Sequence, residues 1–123
     1  MEHVLIDASW SMDRYIEVIS GYLGRPGKKW IFRRDLEPIG LFDEEPFEIY
    51  GVSALYDSFA KLAVQLLKGP PGVLTVLTDG DDTASVFATR DSCRGYRYAL
   101  EKAGWKLYFP ITHPFKPNRR ECC

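Results

Sequence analysis

Short apolar segments that alternate with amphipathic ones constrain the fold of this chain more than any other feature of its sequence. Residues 73–77 are apolar apart from one threonine and follow the helix-breaking sequence Gly-Pro-Pro-Gly at residues 69–72, so they predict a central strand buried on both faces. The acidic, proline-containing stretch 35–46 predicts a loop. Four further strands are predicted at residues 3–7, 29–34, 47–50 and 105–111.

Apolar residues recur at helical spacing in three segments between these strands. The first predicted helix begins at Met12 and ends before Gly24, the second begins just after Ser53, and the third spans residues 91–103, with Gly104 at its C-terminal cap position. The residues expected to face inward are Met12, Tyr15, Ile16, Ile19 and Tyr22 in the first helix, Leu55, Phe59, Leu62, Ala63 and Leu66 in the second, and Tyr96, Leu100 and Ala103 in the third.

Strands that alternate with helices are typical of an α/β domain whose sheet is largely parallel. Because proline lacks the amide donor of a strand ladder, Pro110 predicts that the last strand lies at an edge of the sheet. A chain of 123 residues is long enough to bury a core of its own. We therefore expect a single domain over residues 1–112, followed by an irregular tail over residues 113–123.

Composition argues against several classes of function. The net charge of -1 gives no electrostatic reason to expect nucleic acid or an anionic membrane as a partner. The apolar runs are too short to span a bilayer and no signal peptide is visible, so the sequence predicts a cytoplasmic protein. The only two histidines, His3 and His113, lie near the ends of the chain, which argues against a Ser-His-Asp triad. No spacing of cysteines and histidines indicates a zinc site.

A carboxylate and two hydroxyls follow the first predicted strand at every second position. Asp7, Ser9 and Ser11 share a period of two, which in extended backbone places their side chains on the same side. When the chain turns into the next helix, their oxygens can converge, and oxygen ligands suit a hard cation such as Mg²⁺. The same residue types are also common in turns and helix caps, and both interpretations are open on this segment alone.

Two more strand-to-helix junctions carry residues of the same kind. Asp79 follows the predicted central strand, and Ser53 precedes the second helix. Ligands of open α/β sheets bind beyond the carboxyl ends of the strands, where the strand order reverses. If the first and central strands are neighbours, Asp7 and Asp79 look into one crevice, and Ser53 adds a third loop to it.

Three segments of the chain together resemble a known metal site. Residues 7–12 (DASWSM), 51–57 (GVSALYD) and 77–82 (LTDGDD) are similar, in order and in flanking sequence, to the three parts of the metal-ion-dependent adhesion site of von Willebrand factor A (vWA) domains. The resemblance implies a three-layer, Rossmann-like α/β/α fold with a five-stranded sheet of order 3-2-1-4-5, in which strand 3 is antiparallel. It implies one Mg²⁺ or Mn²⁺ that leaves a position open for an acidic residue of a partner. The residues around that ion would be Asp7, Ser9, Ser11, Ser53 and Asp79.

This chain departs from the family pattern in three ways. Ser53 stands where the family usually has threonine, Trp10 stands where a small residue is more common, and the elements that usually follow the last predicted strand are missing. Trp10 has three interpretations: a packed side chain, a shield for the metal, or a contact anchor for a partner. Together with Asp81 and Asp82, it forms the predicted partner-binding rim.

The function expected from these features is a protein-interaction module that binds metal and is not an enzyme. Its partner would be a protein that presents an acidic residue, and the resemblance implies a chaperone-like ATPase as one such partner. An uncovered edge of the sheet could also pair with a second copy of the chain. A Mg²⁺-dependent phosphoryl hydrolase is the alternative, but Ser9 stands where such enzymes carry an acid/base carboxylate. A nucleic-acid-associated module is another, but the acidic stretch 35–48 offsets the basic residues at 25–34.

Overall fold

The computed structural model describes residues 2–38, 49 and 51–115 of the chain. Strands and helices alternate along it as the sequence predicts, and the fold is α/β. The strands are β1 (Glu2–Asp7), β2 (Lys28–Phe32), β3 (Leu36–Pro38), β4 (Val73–Leu77) and β5 (Lys106–Tyr108). The helices are α1 (Ile16–Leu23), α2 (Leu55–Leu66) and α3 (Arg90–Lys102), and a 3-10 helix (Trp10–Tyr15) precedes α1.

Four parallel strands form the centre of the sheet in the order β2-β1-β4-β5. β1 lies between β2 and β4, with Asp7 opposite Phe32 on one side and Ile6 opposite Leu77 on the other. The predicted parallel sheet is thus confirmed for these four strands. Because they all run in one direction, their carboxyl ends meet at a single edge of the sheet.

A short antiparallel strand completes the sheet beside β2. β3 pairs with β2 through Trp30–Pro38 and Phe32–Leu36, which gives the order β3-β2-β1-β4-β5. The loop prediction for residues 35–46 is therefore wrong over Leu36–Pro38, and residues 39–46 lie outside the described part of the chain. An edge strand has a neighbour on one side only, so it tolerates an acidic residue and a proline. The strand predicted at residues 47–50 lies outside the described residues apart from Ile49, which belongs to no strand.

Side chains of alternate strand positions build two cores, one on each face of the sheet. In β1, Leu5 belongs to the larger core beneath α2 and α3, whereas Val4 and Ile6 belong to the smaller core beneath α1. The prediction for α2 is confirmed, since all its expected inward residues are buried. They are Leu55, Phe59, Leu62, Ala63 and Leu66.

The inward faces of the other two helices are only partly as predicted. Met12 and Ile19 are fully buried, but Ile16 is 40% exposed. The 3-10 helix before α1 has about three residues per turn, which shifts the phase of the apolar positions relative to a continuous α-helix. In α3, Leu100 is buried as expected, whereas Ala103 lies one residue past the helix end and is exposed.

The last strand is shorter than predicted, but it lies at the sheet edge as expected. β5 ends at Tyr108, so Pro110 falls beyond it and needs no place in the strand ladder. Packing continues past the predicted domain boundary at residue 112, because Phe115 is fully buried against Phe59, with ring centroids 4.5 Å apart. No helix within the described residues is long and apolar enough to cross a membrane.

Candidate functional site

The site predicted from the sequence lies at the carboxyl edge of the sheet, where three loops come together. Asp7 is the last residue of β1, and Asp79 lies two residues past the end of the neighbouring strand β4. Ser53 lies in the loop that leads into α2, and this loop is fixed to the end of β2 by the bond from the Ala54 amide to the carbonyl of Arg33. The sheet topology thus brings all three segments to one place.

Asp7 is the buried centre of this arrangement. Its Oδ1 accepts the amide of Ser9 at 3.0 Å, and its Oδ2 accepts the hydroxyls of Ser53 at 3.1 Å and Thr78 at 2.9 Å. Burial raises the pKa of Asp7, hydrogen bonds from Ser9 and Thr78 oppose the rise, and the negative charge of Asp79 adds to it. The two loops that carry Asp7 and Ser53 are therefore joined directly, and the charges of Asp7 and Asp79 interact.

The serine hydroxyls are not used as helix caps. Ser9 occupies the N-cap position of the 3-10 helix but makes no capping hydrogen bond with its side chain, and the N-cap of α2 is Ala54, not Ser53. The cap interpretation is therefore wrong for Ser9, and Ser53 is not a helix cap either. The Oγ atoms of Ser9 and Ser11 instead lie 3.4 Å from each other. The predicted convergence of the Asp7, Ser9 and Ser11 oxygens on one point is thus seen for the two hydroxyls, whereas Asp7 bonds to the backbone amide of Ser9.

Asp79 has one carboxylate oxygen that no other group in the described residues contacts by a hydrogen bond. Its Oδ1 accepts the amide of Asp81 at 3.2 Å, as in a local turn. Its Oδ2 is buried and has no hydrogen-bond partner within the described part of the chain. A buried carboxylate oxygen without a partner is costly, and the nearby charge of Asp7 increases that cost. A cation bound between the two carboxylates would remove this cost, so the residues present fit a divalent ion.

The donor set of the site consists of oxygens only. It offers the carboxylates of Asp7 and Asp79 and the hydroxyls of Ser9, Ser11 and Ser53, a composition that suits Mg²⁺ or Mn²⁺ rather than zinc or copper. The described residues contain no group of three or more histidine, cysteine, aspartate or glutamate side chains arranged to hold a metal. A metal at this edge would therefore depend on hydroxyl ligands as well as on carboxylates.

The three predicted rim residues have different environments. Trp10 is 69% exposed, so its interpretation as a packed side chain is wrong. Asp81 is exposed, whereas Asp82 holds the loop: its Oδ2 accepts the amide of Tyr56 at 2.9 Å, and its Oδ1 accepts those of Ala84 and Ser85 at 3.2 and 3.0 Å. The carboxylate of Asp82 is thus engaged in the protein's own hydrogen bonds.

Two residues with a role at this edge were not predicted. Thr78 orients Asp7, and its hydroxyl also accepts the amide of Gly80 at 3.1 Å. Asp57, in the first turn of α2, accepts the amides of Val86, Phe87 and Ala88 at 2.7, 3.0 and 2.6 Å. A hydroxyl directly before Asp79 was a signal for Thr78. The sequence carried no signal for Asp57, because its partners lie about 30 residues away.

Those amide bonds change the acidity of Asp57. Burial alone would raise its pKa, but the hydrogen bonds from the Val86, Ala88 and Phe87 amides stabilise the charged form and hold the pKa below its ordinary value. Asp57 is therefore a charged anchor for the segment 85–88 that follows the candidate site.

Comparisons with known proteins leave the family of this chain open. No protein-family model matches the chain, and no curated protein is similar to it in sequence. What connects the site to a function is therefore its own geometry, together with the resemblance of the three loop segments to a metal-ion-dependent adhesion site.

Proposed function

We propose that this chain is a vWA-type protein-interaction module that binds a divalent metal ion, Mg²⁺ or Mn²⁺, and recognises an acidic residue of a partner through that ion. The observation that carries the proposal is the buried Oδ2 of Asp79, which has no hydrogen-bond partner within the described residues and lies close enough to Asp7 for their charges to interact. The residues that would hold the ion are Asp7, Ser9, Ser11, Ser53 and Asp79.

Each of these residues has a distinct part in the proposed site. Ser9 and Ser11 offer neighbouring hydroxyls, and Ser53 offers a third from the loop before α2. Thr78 holds the Asp7 carboxylate in place through its own hydroxyl. The ion supplies an attraction for a carboxylate of the partner, which the two aspartates alone would repel.

The sheet order also supports a vWA-type assignment. The order β3-β2-β1-β4-β5, with β3 antiparallel, is the one that the resemblance implies, although residues other than the predicted ones form β3. A chaperone-like ATPase is the class of partner that the resemblance implies. The sequence of this chain itself points only to an acidic contact residue.

A thermal melt of the full chain tests the metal site. In saturating Mg²⁺ or Mn²⁺ the melting temperature should rise relative to EDTA, because a ligand at 100 times its dissociation constant stabilises the native state by about 2.7 kcal/mol. For a domain of this size that corresponds to a shift on the order of 10 °C. The Asp7→Ala variant should show no shift.

The matched control for this melt is Asp91→Ala. Its carboxylate lies at the start of α3 and is largely exposed, so the metal-dependent shift should persist. A parent protein whose melting temperature does not respond to millimolar metal would contradict the proposal. A Mg²⁺-dependent release of phosphate from a generic phosphate ester, lost in Asp7→Asn, would favour the hydrolase instead.

A further inference from the structure

The most exposed apolar side chains of the described residues follow β1 and β4, the two strands whose carboxyl ends carry the candidate site. Phe87 is 89% exposed, Val86 79% and Trp10 69%, more than any other large hydrophobic residue in the described part of the chain. Val86 and Phe87 are adjacent in sequence and both strongly exposed, which indicates a surface used for association. We call Val86 and Phe87 the apolar tip.

The backbone of the apolar tip is held firmly in place. The amides of Val86 and Phe87 both donate to the carboxylate of Asp57, as does that of Ala88. The amide of Asp57 in turn donates to the hydroxyl of Ser85 at 3.0 Å. The tip is therefore fixed on the first turn of α2, and less conformational entropy is lost when a partner binds a surface that is already ordered.

The same loop is joined to the proposed metal site. The carbonyl of Ser53 accepts the amides of Thr83 and Ala84 at 2.8 and 2.9 Å, and the amide of Ser53 donates to the hydroxyl of Thr83 at 2.9 Å. Trp10 is attached to the same segment, because its amide donates to the carbonyl of Gly51 at 3.1 Å. One short stretch, residues 51–57, thus connects Trp10, the proposed ligand Ser53 and the tip.

Charge and apolar surface together define the partner. Asp79 and the exposed Asp81 make this edge acidic, so a partner carboxylate is attracted only when the ion is bound. A small carboxylate such as acetate would contact the ion but gain nothing from Phe87. In protein interfaces a few residues, often aromatic ones, contribute most of the binding energy. Phe87 could contribute in this way beside the charged contact.

We propose that the apolar tip is the second half of the recognition surface, and that the partner is a protein segment carrying an acidic residue next to apolar ones. The acidic residue would contact the ion, and the apolar residues would pack on Phe87 and Val86. This inference rests on the proposed function, because the ion is what makes the acidic contact favourable.

Peptide selection on the full chain tests the proposal. A phage library of random 12-residue peptides is selected on the immobilised protein in Mg²⁺ and eluted with acid, and the selected peptides are titrated by fluorescence anisotropy. We expect peptides that combine an aspartate or glutamate with apolar residues. Phe87→Ser should weaken their binding about 30-fold, as for a central interface anchor, and Val86→Ser should weaken it less.

Two controls separate the tip from the rest of the molecule. Tyr98→Ser removes another exposed aromatic side chain, 61% exposed on α3, and should leave peptide binding unchanged. Phe87→Ser should keep the metal-dependent melting shift, because the Phe87 side chain is solvent-exposed and its hydrogen bond to Asp57 comes from the backbone amide, which the substitution keeps.

The outcomes distinguish this inference from the proposed function. If the metal shift is present but peptide affinity is the same in the parent and in Phe87→Ser, the inference fails alone. If the parent self-associates in sedimentation experiments through Phe87 and binds no peptide, the occupant is a second copy and the inference is also overturned. If Phe87-dependent peptides bind equally in Mg²⁺ and EDTA, the proposed function fails, and with it the acidic half of this inference.

Discussion

Asp7 and Asp79 are two carboxylates at one edge of a sheet, with unequal numbers of partners. Asp7 accepts three hydrogen bonds, from an amide and two hydroxyls, whereas the Oδ2 of Asp79 has none within the described residues. Folding thus places a charged group near another of the same sign and leaves one of its oxygens without a donor. Such an arrangement costs stability, and the proposed cation would offset that cost if it bound at this edge.

The Asp79→Asn variant tests this balance at the level of a single residue. In EDTA the variant should be at least as stable as the parent, because the substitution removes a charge that repels Asp7. In Mg²⁺ it should lose the metal-dependent gain in stability. The free energy of unfolding from urea denaturation, measured in both conditions, checks the two expectations.

Asp81→Asn is the matched control for that variant, because Asp81 is exposed and contributes only its amide to Asp79. It should behave like the parent in both EDTA and Mg²⁺. An Asp79→Asn protein that is less stable than the parent in EDTA yet keeps its response to Mg²⁺ would show that the carboxylate has a structural role instead.

The sequence predicted which residues meet better than it predicted how they bond. The period of two predicted that Asp7 and Ser9 lie together, and the position of Ser53 at a strand-to-helix junction predicted that it lies near them. In the structure both residues donate hydrogen bonds to Asp7, Ser9 from its amide and Ser53 from its hydroxyl. The role of Thr78 depends on the register between β1 and β4, across 71 residues of chain. The hydroxyl before Asp79 marked Thr78 as a candidate, but a single sequence gives strand positions and not strand register, so its bond to Asp7 could not be predicted.

At the scale of elements, the segment after β1 differs from its prediction in the type of helix it forms. The sequence predicted one continuous helix from Met12, but the first turns form a 3-10 helix that begins at Trp10. Its tighter winding is part of the path that leaves Ser9 and Ser11 with their hydroxyls 3.4 Å apart. Apolar periodicity reports the buried face of a helix and is insensitive to such a change in winding.

Asp57 connects two elements, α2 and the loop before α3, and its removal should loosen that loop. In Asp57→Ala three amides lose a charged acceptor, and we expect the free energy of unfolding to fall by about 2 kcal/mol at neutral pH. Hydrogen exchange at Val86–Ala88 should accelerate. Asp91→Ala is the matched control, since Asp91 is also in the first turn of its helix but is exposed.

The pH dependence of the same variant has a defined sign. The pKa of Asp57 in the folded state lies below its ordinary value of 3.8, so its stabilisation is complete above pH 3.8 and is lost as the pH falls further. The stability difference between the parent and Asp57→Ala should therefore shrink below pH 3.8. A difference that stays constant down to pH 2 would mean that packing, not the charge, anchors the loop.

At the scale of the whole molecule, the alternation of strands and helices was sufficient to predict an α/β fold with a largely parallel sheet. The short antiparallel strand β3 was not predicted, because Leu36–Pro38 has neither the length nor the composition that marks a strand. It forms because β2 presents an open edge beside a chain reversal. Tertiary context of this kind decides short edge strands, and local sequence does not.

The extent of the folded domain can be tested by replacing a buried and an exposed phenylalanine with alanine. Phe115 follows the predicted boundary at residue 112 but is fully buried, whereas Phe87 is 89% exposed. Phe115→Ala should lower the free energy of unfolding by about 3–5 kcal/mol, because it leaves a cavity beside Phe59. Phe87→Ala should change it by less than about 0.5 kcal/mol.

Urea denaturation of both variants measures this contrast directly. A large loss for Phe115→Ala alone would mean that the folded domain extends at least to residue 115, with Phe115 as part of the core that supports α2. Similar, small effects of the two substitutions would instead mean that the stably folded domain ends near residue 112. The contacts of Phe115 with Phe59 and Tyr56 would then contribute little to stability.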